Sequence, residues 1–322
     1  MDRVRIAYRD NDRTPMIFCI QAVAQRHYGI DVEVIQIRDE SAFEASIFDG
    51  TADVLIEHTE YLLAEAVSGK KVMMFCAPVV RTGLVLVVPP EVTDVAQLHG
   101  KRVAVRFPGR PTATLLRIRH LGLTGLVEPV IVPDAEVGRW MQWKRVVSGE
   151  YIGAFLTGDF LPAALAAGLH VLPVEDIPNV GLYAQACTSE YARANDDLMR
   201  RYVSAVIHAA CLMKLRPAEA IEIARGEPAR RLMHEGDPAR RLQPEDEAAE
   251  MERRVRLTAD LLQIKPYPSP AGIANAYEIA VEEWPGGKGI NPLTLWDLHW
   301  VKQLDDEGFI DNLAASMETT PA

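Results

Sequence analysis

The chain opens with Val4-Arg5-Ile6-Ala7-Tyr8, whose apolar and polar positions alternate like those of a β-strand. A polar loop, Arg9-Asp10-Asn11-Asp12-Arg13, leads to Thr14-Pro15, a capping residue followed by proline at a first helical position. The period then changes to that of a helix over 16–27, with Ile17, Ile20 and Ala24 on one face, and Gly29 stops it before a strand over 31–37. A second round follows: a helix over 41–48, the turn Asp49-Gly50, a strand over 52–56 and a helix over 61–67. Strands alternating with helices through short loops predict a mostly parallel α/β sheet covered on both faces.

Leu84-Val85-Leu86-Val87-Val88 is a continuous apolar strand closed by Pro89-Pro90, and these prolines read as the crossing into a second lobe. The same grammar restarts there. A helix over 94–99 and the Gly100 turn precede strands over 103–105, 129–132, 151–156 and 170–174, with helices over 112–121, 137–148 and 160–167 between them. From 179 to 186 the chain is extended, and after Ser189 the strong patterns are helical, over 195–215, 217–224 and 246–262. The expected organisation is therefore a discontinuous first lobe, 1–88 with 183–322, and a second lobe, 89–182. Within 225–243, Glu227-Pro228-Ala229-Arg230-Arg231 and Asp237-Pro238-Ala239-Arg240-Arg241 read as two helix starts, and 316–322 as a frayed tail.

The 322 residues suit two lobes, and a hydrophobic content of 48% with 25% charged residues is that of an ordinary globular protein. Thirty-four Lys and Arg against 45 Asp and Glu leave a net charge of −11, which repels a nucleic-acid backbone, so no nucleic-acid partner is expected. No apolar run is long enough to insert in a membrane, and the chain as given lacks the features of a secretory leader. That favours a cytoplasmic location, or a periplasmic one if the natural chain starts upstream. Cys19, Cys76, Cys187 and Cys211 have neither CxxC nor Cys/His ligand spacing, so buried free thiols are expected, with no metal and no cofactor.

Ligands of such sheets sit beyond the carboxyl ends of the strands. In the first lobe that rule selects Asp10, Asn11 and Arg13 after the first strand, and Glu57, His58 and Thr59 after the third. Arg81 and Thr82 lie at the crossover, and Arg106, Gly109, Thr112 and Asp159 follow strands of the second lobe. Arg106-Phe107-Pro108-Gly109-Arg110-Pro111-Thr112 combines arginines with a helix start, a pairing suited to a carboxylate, sulfonate or phosphate. Glu57-His58 pairs an acid with an imidazole at a strand end, as acid/base chemistry requires, although neighbours on a strand point to opposite faces. Trp140-Met141-Gln142-Trp143 has indoles three apart, a spacing that favours core packing over ligand stacking. Glu283-Trp284-Pro285-Gly286-Gly287-Lys288-Gly289 lacks the order of a phosphate loop and reads as a turn.

The run Tyr28-Gly29-Ile30-Asp31-Val32-Glu33-Val34, then Phe48-Asp49-Gly50-Thr51-Ala52-Asp53-Val54, residues 82–88 and Leu98-His99-Gly100-Lys101-Arg102-Val103-Ala104-Val105 resemble, in this order, the solute-binding proteins for nitrate, sulfonates, taurine and the thiamine pyrimidine precursor. The resemblance spans roughly residues 4–202 and implies the type II periplasmic-binding-protein clamshell. In that fold two α/β lobes, joined by two crossing strands, hold a small ligand between them, and an ABC permease is the implied partner. Glu57 and Tyr61 stand where the yeast-type thiamine-pyrimidine synthase branch carries a lysine and a histidine, and only Cys187 falls near its cysteines, which argues against that chemistry. A patchier resemblance, at Asp12-Arg13-Thr14 and Trp284-Pro285, is to 4,5-dihydroxyphthalate decarboxylase.

Two functions follow. In the first, the chain binds a small organic anion or polar heterocycle and makes no bond: Arg81, Arg106 and the Thr112 helix start hold the anionic end, and Asp10, Glu57 and Asp159 accept hydrogen bonds. In the second, it is a cytosolic carboxy-lyase, with Arg13 and Arg106 gripping carboxylates and Glu57 or His58 as catalytic proton carriers. Ligand identity and oligomeric state are not encoded in any pattern of the chain.

Overall fold

The computed structural model describes residues 1–9, 14–57, 60–81, 83–107, 112–138, 140–178, 184–226 and 244–319. The chain forms two compact units, Met1–Val80 with Val180–Ala322, and Arg81–Asn179.

The first unit is built on β1 (Asp2–Tyr8), β2 (Ile30–Gln36), β3 (Val54–Glu57), β4 (Val72–Cys76) and, from the far end of the chain, β10 (Ala184–Thr188). Their order is β2-β1-β3-β10-β4. β1 runs parallel to β2 and β3, while β10 is antiparallel to both β3 and β4. Helix α1 (Thr14–Tyr28) returns the chain from β1 to β2, and Gly29, at φ 67°, makes the left-handed stop that a side chain would resist. One face of the sheet packs on α1 and the long helix α9 (Asp196–Leu215), burying Ile6, Ile17, Ile20, Val203 and Val206. Each such side chain contributes about 1.5–3 kcal/mol when fully buried. The other face takes Phe43 of α2 (Glu40–Ala45) and Leu62 of α3 (Glu60–Val67).

β1 and β3 are also tied by Arg5 and Asp53. The guanidinium Nη2 donates to Oδ1 at 2.7 Å and Nε to Oδ2 at 3.1 Å, while the Arg5 backbone N–H donates to Oδ2 at 2.8 Å. Charge-assisted paired bonds of this kind exceed ordinary ones. Asp53→Asn is expected to lower stability by about 2 kcal/mol in a urea titration, because it removes the charge and one of the two acceptor oxygens. A loss within experimental scatter would show that the pair is merely solvated decoration.

The second unit has the order β7-β6-β8-β5-β9, with β5 (Leu84–Val88), β6 (Arg102–Phe107), β7 (Glu128–Pro133), β8 (Gly153–Thr157) and β9 (His170–Leu172). β6 is parallel to β7 and β8, and β5 is antiparallel to β8 and β9. One face carries α4 (Thr112–His120) and Leu98; the other carries Val132, Trp143, Val146 and Ala164 of α7 (Leu161–Ala166). Both sheets therefore share one plan. In each, the fourth strand is the first to follow a chain crossing between units, and it enters antiparallel.

That plan corrects the expected boundary at residue 88. Pro89-Pro90 ends β5, but β5 already pairs with β8 and β9, so the crossing falls earlier, between Val80 and Arg81. The return falls between Asn179 and Val180 instead of at 182–183. β4, an apolar run left unassigned from the sequence, completes the first sheet. The helix expected over 137–148 is two short ones, α5 (Asp134–Val137) and α6 (Trp143–Val147), broken where Gly138 (φ 94°) and Trp140 (φ 56°) adopt left-handed backbone. The expected 94–99 helix is a single 3-10 turn, Val95–Leu98, capped reciprocally by Asp94 and Gln97. The two helix starts expected within 225–243 lie, from 227 on, outside the described residues.

After α8 (Ser189–Ala194) and α9 the chain is helical, as the period predicted: α10 (Pro217–Ala224), α11 (Pro244–Leu261), α12 (Pro270–Glu283), α13 (His299–Asp306) and α14 (Phe309–Thr319). The Gly-rich stretch after Glu283 is a 3-10 turn, Pro285–Gly289, whose Gly287 carbonyl accepts from Tyr277 at 2.7 Å. The tail expected to fray from 316 instead continues α14 to Thr319, because Met317 is buried against the first core. All four cysteines are free and buried. No described helix is long and apolar enough to cross a membrane.

Candidate functional site

In the first unit, β1 and β3 end side by side. Tyr8 lies opposite Ile56 on β3, Ile56 opposite Gln185 on β10, and Gln185 opposite Cys76 on β4. Glu57, the last residue of β3, pairs through its backbone with Ala184. Its side chain, and Asp10, Asn11, Arg13, His58 and Thr59 in whole, lie outside the described residues, so no acid/base geometry for Glu57 and His58 is on view. Cys187 belongs to the same strand but is no nucleophile: burial pushes its thiol up to about 12. Gln185, which no sequence motif singles out, is 0% exposed.

In the second unit, Arg106 stands one residue from the end of β6 and does not act as the free cation expected of it. Its Nε donates to Asp134 Oδ1 and Oδ2 at 3.1 and 2.9 Å, and its Nη2 to Oδ2 at 2.7 Å. Both side chains are more than four-fifths buried. The guanidinium also lies 4.6 Å from the Trp140 ring centroid. Gln142 completes the arrangement, its Nε2 donating to Asp134 Oδ1 at 2.9 Å and to the Val132 carbonyl at 3.1 Å. The carboxylate cancels the arginine's charge at close range, so Arg106 works here as a fastener of the 134–142 loop. Trp143 is buried in the core and Trp140 packs against it, in agreement with the reading of this pair as core. Trp140 is the one non-glycine residue at positive φ among those described, a conformation that costs of order 1–3 kcal/mol and is held by the Asp134 hub.

Thr112 begins α4, a nine-residue helix that is the next described element after β6. Asp159 lies in the 3-10 turn Gly158–Phe160 directly after β8. The side chains of Thr112 and Asp159, with Thr82 and Gly109 in whole, lie outside the described residues. Arg81 is exposed, and its backbone bridges Pro178, joining the two segments that lead out of this unit. Among the described residues no group of three or more His, Cys, Asp and Glu side chains could hold a metal ion.

The sequence of residues 26–220 matches the family described as NMT1/THI5 like. The chain belongs to the NMT1/THI5-like family. No curated protein sequence matches it. The periplasmic sulfonate-binding protein of a Methylobacillus flagellatus ABC transporter is 16% identical, with a TM-score of 0.63, over 97% of this chain and 96% of that one. The ligand-binding component of an ABC-type import system from Staphylococcus aureus, solved with zinc bound, is 11% identical at TM-score 0.63, over 94% and 99%. The periplasmic aliphatic sulphonate-binding protein of Escherichia coli is 15% identical at TM-score 0.59, over 88% and 87%. This NMT1/THI5-like chain therefore has the α/β fold of periplasmic binding proteins. Nothing in the family or in these structures favours the lyase expected as the second function.

Proposed function

We propose that the chain is the solute-binding component of an ABC-type importer, taking a small organic anion or polar heterocycle. The observation that carries this reading is the family match, which spans the whole second unit and much of the first, and the fold similarity to sulfonate-binding proteins supports it. In this reading the ligand is held by the loops at the carboxyl edges of the parallel strands: Asp10, Asn11, Arg13, Glu57, His58 and Thr59 in the first unit, and Arg81, Thr82, Gly109, Thr112 and Asp159 in the second. Because Arg106 is neutralised by Asp134, the anionic end is received by the α4 N-terminus, while Arg106 keeps the neighbouring loop in place. The role implies a permease partner and a periplasmic location.

Thermal unfolding of the purified chain with alkanesulfonates, taurine, aminopyrimidines and hydroxyphthalates tests this. A ligand at 100 times its Kd stabilises the native state by about 2.7 kcal/mol, which raises the midpoint by several degrees. The expected result is such a rise with no chemical change in the ligand. Release of CO2 from a hydroxyphthalate, or indifference to every compound, overturns the reading.

A further inference from the structure

The other buried and half-buried glutamine amides of the described residues each place their Nε2 on acceptors, although Gln142 Oε1 is itself unpartnered among those residues. Gln142, 1% exposed, donates to Asp134 and to the Val132 carbonyl, and the half-buried Gln263 bridges the carbonyls of Ala77 and Tyr267 at 2.8 and 2.6 Å. Gln185 is more deeply buried than either and makes no hydrogen bond: neither Nε2 nor Oε1 meets a partner among the described residues. An amide so placed forfeits the hydration of two donors and two acceptors, at about 1–3 kcal/mol for each polar group left unmatched. An apolar side chain would serve the core better, so nothing among the described residues explains the amide.

Its direction follows from the strand period. Ala186 belongs to the core on the α2/α3 face, which leaves Gln185 and Cys187 on the opposite face, toward α1 and α9. Ile56, its cross-strand neighbour on β3, packs on that same face, and Ala184, one residue earlier, pairs with the last residue of β3. Gln185 therefore lies one step inside the carboxyl edge of the first sheet, on the face where α1 begins. A second polar group of this region is equally unserved. The Tyr202 hydroxyl on α9 is 0% exposed and unpartnered among the described residues. Burial and the nearby Cys76, Tyr191 and Cys187 push its phenol far up, so it remains a protonated donor. Cys76 faces Gln185 across the β10–β4 ladder and Cys187 lies two residues along β10, which places Tyr202 in the same neighbourhood.

We propose that Gln185 is a specificity-determining residue of the ligand site, reading a ligand edge that carries a hydrogen-bond donor beside an acceptor, as in a lactam, a carboxamide or an amidine-containing ring. The inference rests on the solute-binding reading above and narrows its ligand class. A planar edge of this kind engages the amide through two parallel bonds, matching Nε2 with an acceptor and Oε1 with a donor. A ligand lacking either group leaves one of them stranded, and such sites discriminate strongly for that reason. The amide therefore lowers stability in exchange for selectivity, a trade that ordinary core residues do not make.

The test uses the full chain and the variants Gln185→Leu and Gln185→Met, unfolded thermally alone and with uracil, cytosine or nicotinamide as donor–acceptor probes, and with ethanesulfonate or benzoate as anions without that edge. Without additive, both variants are expected to unfold at a higher temperature than the parent, since an apolar side chain replaces an unmatched amide. With at least one donor–acceptor probe the parent is expected to gain several degrees, and the variants to bind that probe at least tenfold more weakly. A lower unfolding temperature, or failure of both variants to fold, overturns the proposal by giving the amide a structural role. Equal probe affinity in parent and variants, or a parent that answers only to the two anions, overturns it while leaving the solute-binding reading standing. A parent that answers to no probe and to none of the compounds tested above removes the solute-binding reading itself, and the proposal with it.

Discussion

Arg117→Met is expected to destabilise the Arg81–Asn179 unit by about 2–4 kcal/mol, because it strips a buried donor from two backbone carbonyls and a partly exposed carboxylate. Arg117 is 2% exposed on α4, yet its guanidinium reaches three groups. Nη2 donates to the Leu84 carbonyl at 2.6 Å and to Asp176 Oδ1 at 2.6 Å, and Nη1 donates to the Glu175 carbonyl. Burial pulls the guanidinium pKa down and Asp176 pushes it back up, but an arginine starts so high that it keeps its charge. Methionine fills much of the volume while leaving the two carbonyls and the carboxylate without this donor. The groups it fastens belong to the start of β5 and the segment before Pro178, the two stretches by which the chain enters and leaves the unit. Urea unfolding gives the size of the loss, and amide exchange should place it in β5 and β9. A change under about 1 kcal/mol, or exchange that quickens elsewhere and not in these strands, would sink this account.

Lowering the pH from about 6.5 to about 4 is expected to remove up to about 3 kcal/mol of stability through His208 alone, by the linkage between proton uptake and folding. His208 on α9 lies beside the C-terminal end of α1, its Nδ1 3.1 Å from the Tyr28 hydroxyl and its ring centroid 4.8 Å from that of His27. Burial, and then the His27 charge, lower its pKa from 6.5 to about 4. The folded protein therefore keeps the neutral imidazole in this window while the unfolded chain takes up a proton. Stability is full above pH 6.5, falls as the pH drops toward 4, and stops changing from this source below it. His208→Gln removes the titration and keeps a polar partner for Tyr28, so the difference between parent and variant, followed by urea unfolding at half-unit pH steps, should change only within the window and be constant on either side of it. A parent and variant with parallel pH profiles would assign the acid sensitivity to other groups.

Most of the first unit was legible from periodicity. β1, α1 and β2 follow from a strict change of period punctuated by Thr14-Pro15 and Gly29, and the helical C-terminal half follows from apolar spacing alone. Where the reading went astray, a local signal was right and its partner was missing. Pro89-Pro90 does end a strand, but the sheet that strand joins is set by pairing with residues some 65–85 positions later, which no local pattern encodes. The 137–148 stretch has helical composition, yet Asp134 draws Arg106 and Gln142 onto itself and the chain breaks between them. The candidate site was legible only as an edge, selected by where strands end.

By itself, the sequence determined the α/β class, the two-unit organisation, the burial of the free thiols and the family resemblance, because each is written in local period, composition or ordered phrases. The folded chain alone shows that the expected cation of Arg106 is spent on Asp134, that Arg117 fastens the two ends of the second unit, and that Gln185 inside the first sheet finds no partner among the described residues. Those outcomes depend on which groups meet across long stretches of chain. A charge or an amide acquires its function from the partner it finds or lacks after folding.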